Sequence, residues 1–134
     1  MFNKLAMPST KRKFGDTGEV VATEFLARNG YRIVAKNYSK RYGEIDVIGR
    51  KGGVITFFEV KTSRYFPESS FSPEIRVDGG KMKRLIKTCE TYLAEKKLPE
   101  DQEWKIDVIS VILNEDSSVR EINHIENAVF GRRY

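Results

Sequence analysis

Residues 42–64, YGEIDVIGRKGGVITFFEVKTSR, have the pattern of a β-hairpin. The first strand is expected at Glu44–Gly49 and the second at Val54–Lys61, both rich in β-branched and aromatic residues. Residues 50–53, Arg-Lys-Gly-Gly, supply the glycines that a tight turn needs. Because a buried charge without a partner is costly, ionisable residues in such strands either reach water or pair and bind something. Three of them interrupt the apolar pattern: Asp46, Glu59 and Lys61.

Strand geometry decides whether these three charges can act together. Side chains alternate between the two faces of a strand, so Glu59 and Lys61 share one face. Pairing of Gly49 with Val54 would put Asp46 diagonal to Glu59, roughly 7–8 Å away at the backbone. Two carboxylates at that separation can lean together and share one small divalent cation. A register slip of one residue would move Asp46 to the other face, so a metal site depends on the parity of the pairing.

Length and composition are those of one soluble globular domain, with 134 residues of which 40% are hydrophobic and 32% charged. No apolar run approaches the ~20 residues that span a bilayer, and we see no signal peptide, so we expect no membrane association. The single cysteine, Cys89, excludes an internal disulfide and a Cys-rich zinc site and fits a reducing, cytoplasmic compartment. The net charge of +5 favours an anionic partner, with nucleic acid first.

The chain is expected to comprise a basic N-terminal arm, residues 1–13, followed by a single domain, residues 14–134. The arm contains four basic residues and no acid: Lys4, Lys11, Arg12 and Lys13. Such an arm is either a solvated tail or a contact for phosphate groups.

A first helix is predicted at roughly Thr17–Asn29, ending at Gly30, and an earlier start is left open because Phe14 shares the helical spacing of its apolar stripe. Glu19 lies at the border of its apolar stripe and can therefore face the sheet. Spacing also allows another role for Glu19, because Asp16 as N-cap would make it the last residue of a capping box. Both roles remain open at this point.

The rest of the chain adds three strands and one helix. The strands are expected at Tyr31–Tyr38, Trp104–Leu113 and Val119–Ile125, and the second helix at Lys81–Lys97. The order α-β-β-β-α-β-β predicts the α/β class, with a mixed central β-sheet flanked by helices.

A long segment with little periodicity, residues 62–80, follows Lys61 directly. Loops of this length in a compact domain are usually functional or mobile. Arg64 and Tyr65 are therefore candidates for phosphate or base contacts, and an ordinary mobile loop is the alternative.

Two further residues are interpreted as structural. The sequence Ile-Asp-Val-Ile occurs at 45–48 and again at 106–109, but only the first copy is followed by a tight turn and Glu-x-Lys, so Asp107 is a decoy. The only histidine, His124, has no nucleophile signature with it, which favours a structural role.

Residues 43–61, GEIDVIGRKGGVITFFEVK, resemble the Asp-(x)n-Glu-x-Lys signature of the restriction-endonuclease-like nucleases. Over most of residues 15–130 the chain looks like the YraN (UPF0102) family, which is similar to archaeal Holliday-junction resolvases. The residues that carry this likeness are Gly18-Glu19, Ala22, Leu26, Gly30-Tyr31, Asn37, Gly43-Glu44-Ile45-Asp46, Glu59-Val60-Lys61, Lys81, Tyr92-Leu93, Asp107-Val108 and Ile125-Glu126-Asn127-Ala128. The chain departs from the family pattern after Lys61, where the segment 66–73 is longer and richer in serine than that pattern leads one to expect.

The resemblance implies a metal-dependent nuclease on a restriction-endonuclease-like fold. Asp46 and Glu59 match the carboxylates that bind Mg²⁺ or Mn²⁺, and Lys61 matches the catalytic lysine. Glu19 matches the helix acid of resolvases and would also serve the metal, by binding a metal-bound water or a second ion. Placing Glu19 in the site requires the first helix to pack across the face that carries Lys61. The substrate would be DNA, branched or single-stranded, and cutting two strands would need a homodimer. The candidate phosphate contacts are Arg41, Arg64, Lys81 and Arg84.

Two alternatives come from other functional classes. The first is a nucleic-acid-binding protein that uses a nuclease fold without catalysis. The second is an interaction protein that docks a partner through residues 62–80, and it predicts no salt-dependent affinity for DNA.

Overall fold

The computed structural model describes residues 10–67 and 79–127. Two helices and five strands follow one another in the predicted order. They are α1 (Thr10–Arg28), β1 (Arg32–Lys40), β2 (Gly43–Lys51), β3 (Val54–Arg64), α2 (Gly79–Glu95), β4 (Trp104–Leu113) and β5 (Val119–Ile125). The predicted fold class is confirmed, and the expected bounds of β4 and β5 match those observed.

The five strands form one mixed sheet in the order β1-β2-β3-β4-β5. Neighbouring strands run antiparallel except β3 and β4, which run parallel. A parallel pair needs a long crossover, and the connection that contains α2 supplies it. The result is a five-stranded mixed sheet flanked by two helices, which is consistent with a restriction-endonuclease-like α/β fold.

Each helix covers one face of the sheet, because β3 carries apolar side chains on both faces. Phe57 is fully buried in the core beneath α2, with Leu85 and Cys89. Its neighbour Phe58 is buried in the core beneath α1, with Leu26. Alternation along β3 therefore holds as predicted, and it assigns Glu59 and Lys61 to the face covered by α2.

The hairpin between β2 and β3 closes two residues later than expected. Lys51 pairs with Val54, so the turn consists of Gly52 and Gly53 alone. Both have positive φ, 61° and 79°, which a two-residue hairpin turn of the primed type requires and glycine adopts without strain. The predicted pairing of Gly49 with Val54 is therefore wrong. The shift of two residues preserves the face on which every side chain lies.

Helix α1 begins at Thr10, seven residues before the predicted Thr17. Phe14, part of the predicted apolar stripe, packs against the core beneath α1, and this contact supports the roughly two extra N-terminal turns. Residues 10–13 are consequently helical rather than part of an arm, while residues 1–9 of the predicted arm lie outside the described residues. Asp16 lies inside the helix, so it is not an N-cap and the capping-box role of Glu19 is wrong.

The remaining helix and strand bounds differ from the predicted ones by three residues at most. Helix α2 ends at Glu95 rather than Lys97, because Lys97 has a positive φ of 53°, as at many helix C-termini. Strand β1 extends to Lys40, since its pairing with β2 continues to Gly43.

Helix α1 approaches β3 closely at Gly18. A Cβ atom at this position would overlap the side chain of Thr62 on β3, so only glycine lets the helix lie this near. The Thr62 hydroxyl is buried there without a hydrogen-bond partner among the described residues.

Within the described ranges, neither helix combines the length and apolar character needed to cross a bilayer.

Candidate active site

Asp46 and Glu59 lie across from each other where the β2–β3 ladder ends. The last regular pair is Val47 with Phe58, so Asp46 and Glu59 are the next residues along the two strands. Beyond this pair, a side chain of β2 replaces its backbone as the acceptor: Oδ2 of Asp46 accepts a hydrogen bond from the backbone N–H of Val60 at 2.7 Å. The prediction that Asp46 lies diagonal to Glu59 is therefore wrong. The predicted parity of the strand pairing is right, because the observed register differs from the predicted one by an even number of residues.

A kink in β2 explains how Asp46 leaves the ladder. Ile45 packs in the core beneath α2 whereas Val47 packs in the core beneath α1. In a regular strand these two residues would share a face. Opposite Asp46 on β1 lies Asn37, whose positive φ of 52° breaks the other neighbouring strand at the same level. The carboxylate of Asp46 consequently sits at an interruption of the sheet.

Glu19 reaches this site from α1. The expectation that α1 crosses the face carrying Lys61 is wrong, since α1 packs on the opposite face, against Phe58 and Val60. Glu19 nevertheless lies near enough to Asp46 for the two carboxyl groups to interact. Burial raises the pKa of Glu19, and the nearby charges of Asp16 and Glu44 add to the rise. The interactions with Asp46 and Lys36 act in the opposite direction.

The charged form of Asp46 is disfavoured in the folded protein. Burial raises the pKa of Asp46 to about 7, and the charges of three neighbouring carboxylates contribute to the rise. The hydrogen bond from Val60 acts in the opposite direction and offsets part of it. The neighbouring carboxylates are those of Glu59, Glu19 and Glu44. A divalent cation bound among these acids would favour the ionised form of Asp46.

Glu59 is held by two ammonium groups. Its Oε2 lies 3.4 Å from Nζ of Lys61, two residues along the same face of β3. The same oxygen lies 3.2 Å from Nζ of Lys81 in the first turn of α2. The Glu59 side chain is only 14% exposed, so both ion pairs are partly shielded from water. Lys61 is therefore placed where the Glu-x-Lys signature predicts it, and Lys81, predicted as a phosphate contact, joins the same cluster.

An open cleft of about 270 Å³ lies over this cluster. Arg84, one helical turn beyond Lys81, contributes to its wall, and its role as a phosphate contact stays a prediction. Arg41 does not line the cleft; it is exposed in the turn between β1 and β2, next to Tyr42, which does. The full lining is Tyr42, Gly43, Glu44, Asp46, Glu59, Lys81, Arg84 and Leu85.

Arg64 lies apart from the other predicted phosphate contacts. Its Nη1 donates to the carbonyl oxygens of Asn114 and Glu115 at 2.8 and 3.0 Å. Its guanidinium also lies over the ring of Phe14, 4.7 Å from the centroid. Arg64 thus ties α1 to the turn between β4 and β5.

The donor set suits a hard divalent cation in its chemistry. Asp46 and Glu59 offer carboxylate oxygens across the end of the ladder, the ligand type that Mg²⁺ and Mn²⁺ prefer. Among the residues that the structure describes, no three His, Cys, Asp or Glu side chains are arranged to hold a metal together. Glu19 is accordingly a neighbour of Asp46 rather than part of a formed three-ligand group. The two strand carboxylates fit the metal that the family resemblance implies.

Two residues of the cleft were missed as site residues by the sequence reasoning. Glu44 adds negative charge that raises the pKa of both Asp46 and Glu19. Gly43 lets α2 approach β2, because a Cβ atom there would overlap the hydroxyl of Thr88. The available signal was the Gly-Glu pair immediately before Ile45-Asp46, whose role depends on how α2 packs.

The second Ile-Asp-Val-Ile copy forms a separate structural cluster. Asp107 is fully buried, and its Oδ2 lies 2.7 Å from Nε2 of His124. Its Oδ1 accepts a hydrogen bond from the backbone N–H of Asn127 at 2.9 Å. Asp107 and His124 thus satisfy each other, in keeping with the structural interpretation of both.

The fold and the cluster define a small mixed α/β protein with two carboxylates and two lysines at the end of a hairpin ladder. The chain belongs to the uncharacterised protein family UPF0102, whose sequence model matches residues 18–111. The resemblance to the YraN (UPF0102) family is thereby confirmed.

Relatives in several bacteria cover nearly the whole chain. A UPF0102 protein of Clostridium tetani is 41% identical over 119 residues, which covers 87% of this chain and 95% of the relative. One of Roseiflexus castenholzii is 33% identical over 123 residues, covering 92% of this chain and 98% of the relative. One of Vibrio parahaemolyticus is 35% identical over 121 residues, covering 90% and 94%. Their names state no activity.

Proposed function

We propose that this protein is a metal-dependent endonuclease that hydrolyses phosphodiester bonds in DNA, selecting branched or single-stranded structures. One observation carries the proposal: Asp46 and Glu59 face each other across the end of the β2–β3 ladder, with the ammonium groups of Lys61 and Lys81 beside Glu59. This combination of oxygen donors and cations suits the neutralisation of charge on a reacting phosphate.

The roles of the residues follow from their positions. Asp46 and Glu59 would hold Mg²⁺ or Mn²⁺, which when bound activates water and neutralises phosphate charge. Lys61 orients the attacking water or stabilises the negative charge that develops in the transition state. Glu19, whose charge interacts with that of Asp46, would bind a water on the ion or a second ion. Lys81 and Arg84 on the cleft wall, and Arg41 beside it, position the DNA backbone.

The setting of the proposed reaction follows from its substrate. DNA as substrate and a single buried cysteine, Cys89, fit the cytoplasm, where thiols stay reduced. Cutting two strands of a branched DNA symmetrically would require two copies of the chain related by a twofold axis.

The test is cleavage of matched branched, flapped, single-stranded and duplex DNAs with Mg²⁺ or Mn²⁺. Asp46→Asn and Lys61→Ala are each expected to lower the cleavage rate by at least about 100-fold, because each removes a ligand or a charge that acts on the transition state. Lys83→Ala is the control, since Lys83 is exposed on α2 and does not line the cleft. Circular dichroism and thermal unfolding establish that each variant is folded. Cleavage retained by either site variant would refute the mechanism.

A DNA-binding protein without catalysis is the second candidate. It is favoured by the absence, among the described residues, of three metal-ligating side chains arranged together. Metal binding separates the two candidates without any cleavage assay. In the nuclease, Mg²⁺ or Mn²⁺ raises the melting temperature of the wild type and not of Asp46→Asn, whereas a pure binder shows no such shift.

A further inference from the structure

A stacked pair of side chains lies just beyond the C-terminal end of β3. The guanidinium carbon of Arg120 is 3.5 Å from the centroid of the Tyr65 ring. Nη1 of Arg120 also donates to Oδ1 of Asn114 at 3.1 Å. The backbone N–H of Tyr65 donates to the carbonyl oxygen of Leu113 at 2.8 Å, which extends the contact between β3 and β4. The sheet and the following turn therefore hold both members of the stack in place.

The pair adjoins a strongly exposed aromatic residue. Phe66, the next residue after Tyr65, is 62% exposed, and Tyr65 itself is 37% exposed. Val119, beside Arg120 in the chain, is 45% exposed. Large apolar side chains that are exposed together mark interaction sites more often than scattered ones do. Tyr65, Phe66 and Arg120 are called the stacking patch below.

A second guanidinium contacts the same turn between β4 and β5. Arg64 donates to the carbonyl oxygens of Asn114 and Glu115, and its guanidinium lies over the ring of Phe14. Each arginine is thus paired with an aromatic ring and oriented by Asn114. The nearby acid Asp116 is engaged with Ser118, whose N–H and hydroxyl donate to its Oδ1.

The stacking patch is aligned with the candidate active site. By alternation, Lys61, Ser63 and Tyr65 follow one another on one face of β3 and its extension. Four residues of strand place Tyr65 about 13 Å from Lys61. A DNA strand with its phosphate at Lys61 can therefore continue along β3 to the patch.

We propose that the stacking patch binds the unpaired bases of a single-stranded DNA segment next to the cleavage position. Flat aromatic rings and guanidinium planes stack on the faces of bases without regard to sequence, and the positive charge favours the backbone. In a duplex the base faces are covered by neighbouring bases and cannot reach the patch. This inference rests on the proposed nuclease function and defines its substrate as DNA with an unpaired arm adjoining the cut.

The test is equilibrium binding of the full chain to a forked DNA and to a blunt duplex of the same sequence, in EDTA so that no cleavage occurs. Fluorescence anisotropy gives the affinity, and 2-aminopurine in the unpaired arm reports base stacking. Tyr65→Leu is expected to weaken binding to the fork about tenfold and to restore 2-aminopurine fluorescence, with no change on the duplex. Tyr65→Trp keeps a stacking ring and is expected to bind the fork like the wild type. Arg120→Gln, on a different strand, is expected to behave like Tyr65→Leu.

Three results would overturn the inference. One is equal affinity of Tyr65→Leu and the wild type for the fork, and another is an equal loss on fork and duplex. The third is no binding of the wild type to either DNA, as expected if the patch meets a protein instead. Failure of the nuclease proposal is distinguishable, because a wild type that cleaves nothing would still show the stacking signal that depends on Tyr65.

Discussion

The folded protein disfavours the ionised form of Asp46, which is the form that the proposed chemistry needs. Burial and the neighbouring carboxylates raise the pKa of Asp46 to about 7, from an ordinary value of 3.8. Functional sites commonly hold such unfavourable charges at the expense of stability. The cost is specific to this residue, because the charges of Glu59, Glu19 and Glu44 add to the effect of its burial.

This cost predicts how stability depends on pH. Between about pH 4 and 7 the folded state binds the Asp46 proton and the unfolded state does not, so the free energy of unfolding falls as pH rises. Asp46→Asn lacks this contribution but keeps an acceptor for the Val60 N–H. Its free energy of unfolding is therefore expected to exceed that of the wild type by roughly 2–4 kcal/mol above pH 7, and to match it near pH 4. Urea unfolding at several pH values measures this, and parallel curves for the two proteins would contradict it.

At the scale of single elements, the position of α1 depends on one missing side chain. Gly18 allows the helix to lie against Thr62 on β3, and this approach brings Glu19 to the interruption of the sheet at Asp46. Elsewhere in the same helix, Gly15 has open space around its Cα. The two glycines therefore form a matched pair for testing the contact.

Gly18→Ala is expected to destabilise the protein by about 1–3 kcal/mol, because the new methyl group overlaps Thr62. Gly15→Ala is expected to stabilise it by about 0.5–1 kcal/mol, since alanine favours helix and meets nothing there. Thr62→Ala removes the overlapping atoms beyond Cβ and should rescue part of the loss at Gly18. Urea unfolding of the singles and the Gly18→Ala/Thr62→Ala double variant measures the coupling. Additive effects would show that the two side chains do not meet.

Across the whole molecule, the net charge of +5 is the broadest functional signal. The positions of individual cations relate this charge to the candidate site, since Lys81 and Arg84 line the cleft and Arg41 lies beside it. Three phosphate contacts predict that the logarithm of DNA affinity falls with that of salt concentration with a slope of about −2.7.

Raising salt from 50 to 200 mM is therefore expected to weaken DNA binding about 40-fold. Arg84→Gln should reduce the magnitude of the slope by about 0.9, whereas Arg32→Gln, at the far end of β1, should leave it unchanged. Anisotropy titrations at several salt concentrations give these slopes. An affinity for DNA that does not depend on salt would favour the interaction-protein alternative.

Much of the fold could be predicted from local pattern. Strands β4 and β5 match their predicted bounds, and the hairpin was recognisable from alternation and the Gly52-Gly53 pair. The start of α1 was left open, because Lys11, Arg12, Lys13 and Gly15 give no local helix signal, and the packing of Phe14 decides it. The hairpin register also escaped prediction by two residues, since several positions near two glycines can close a turn.

The sequence by itself determined the order of elements, the family, and the side of the sheet on which Glu59 and Lys61 lie. These depend on short-range properties: alternation in strands, the conformational freedom of glycine, and motif spacing. Only the tertiary structure decided that Asp46 lies across from Glu59, that Glu19 reaches Asp46 from the opposite layer, and that Lys81 joins Glu59. It also decided that Arg120 stacks on Tyr65. Each of these depends on contacts between residues far apart in the chain, which local pattern does not encode.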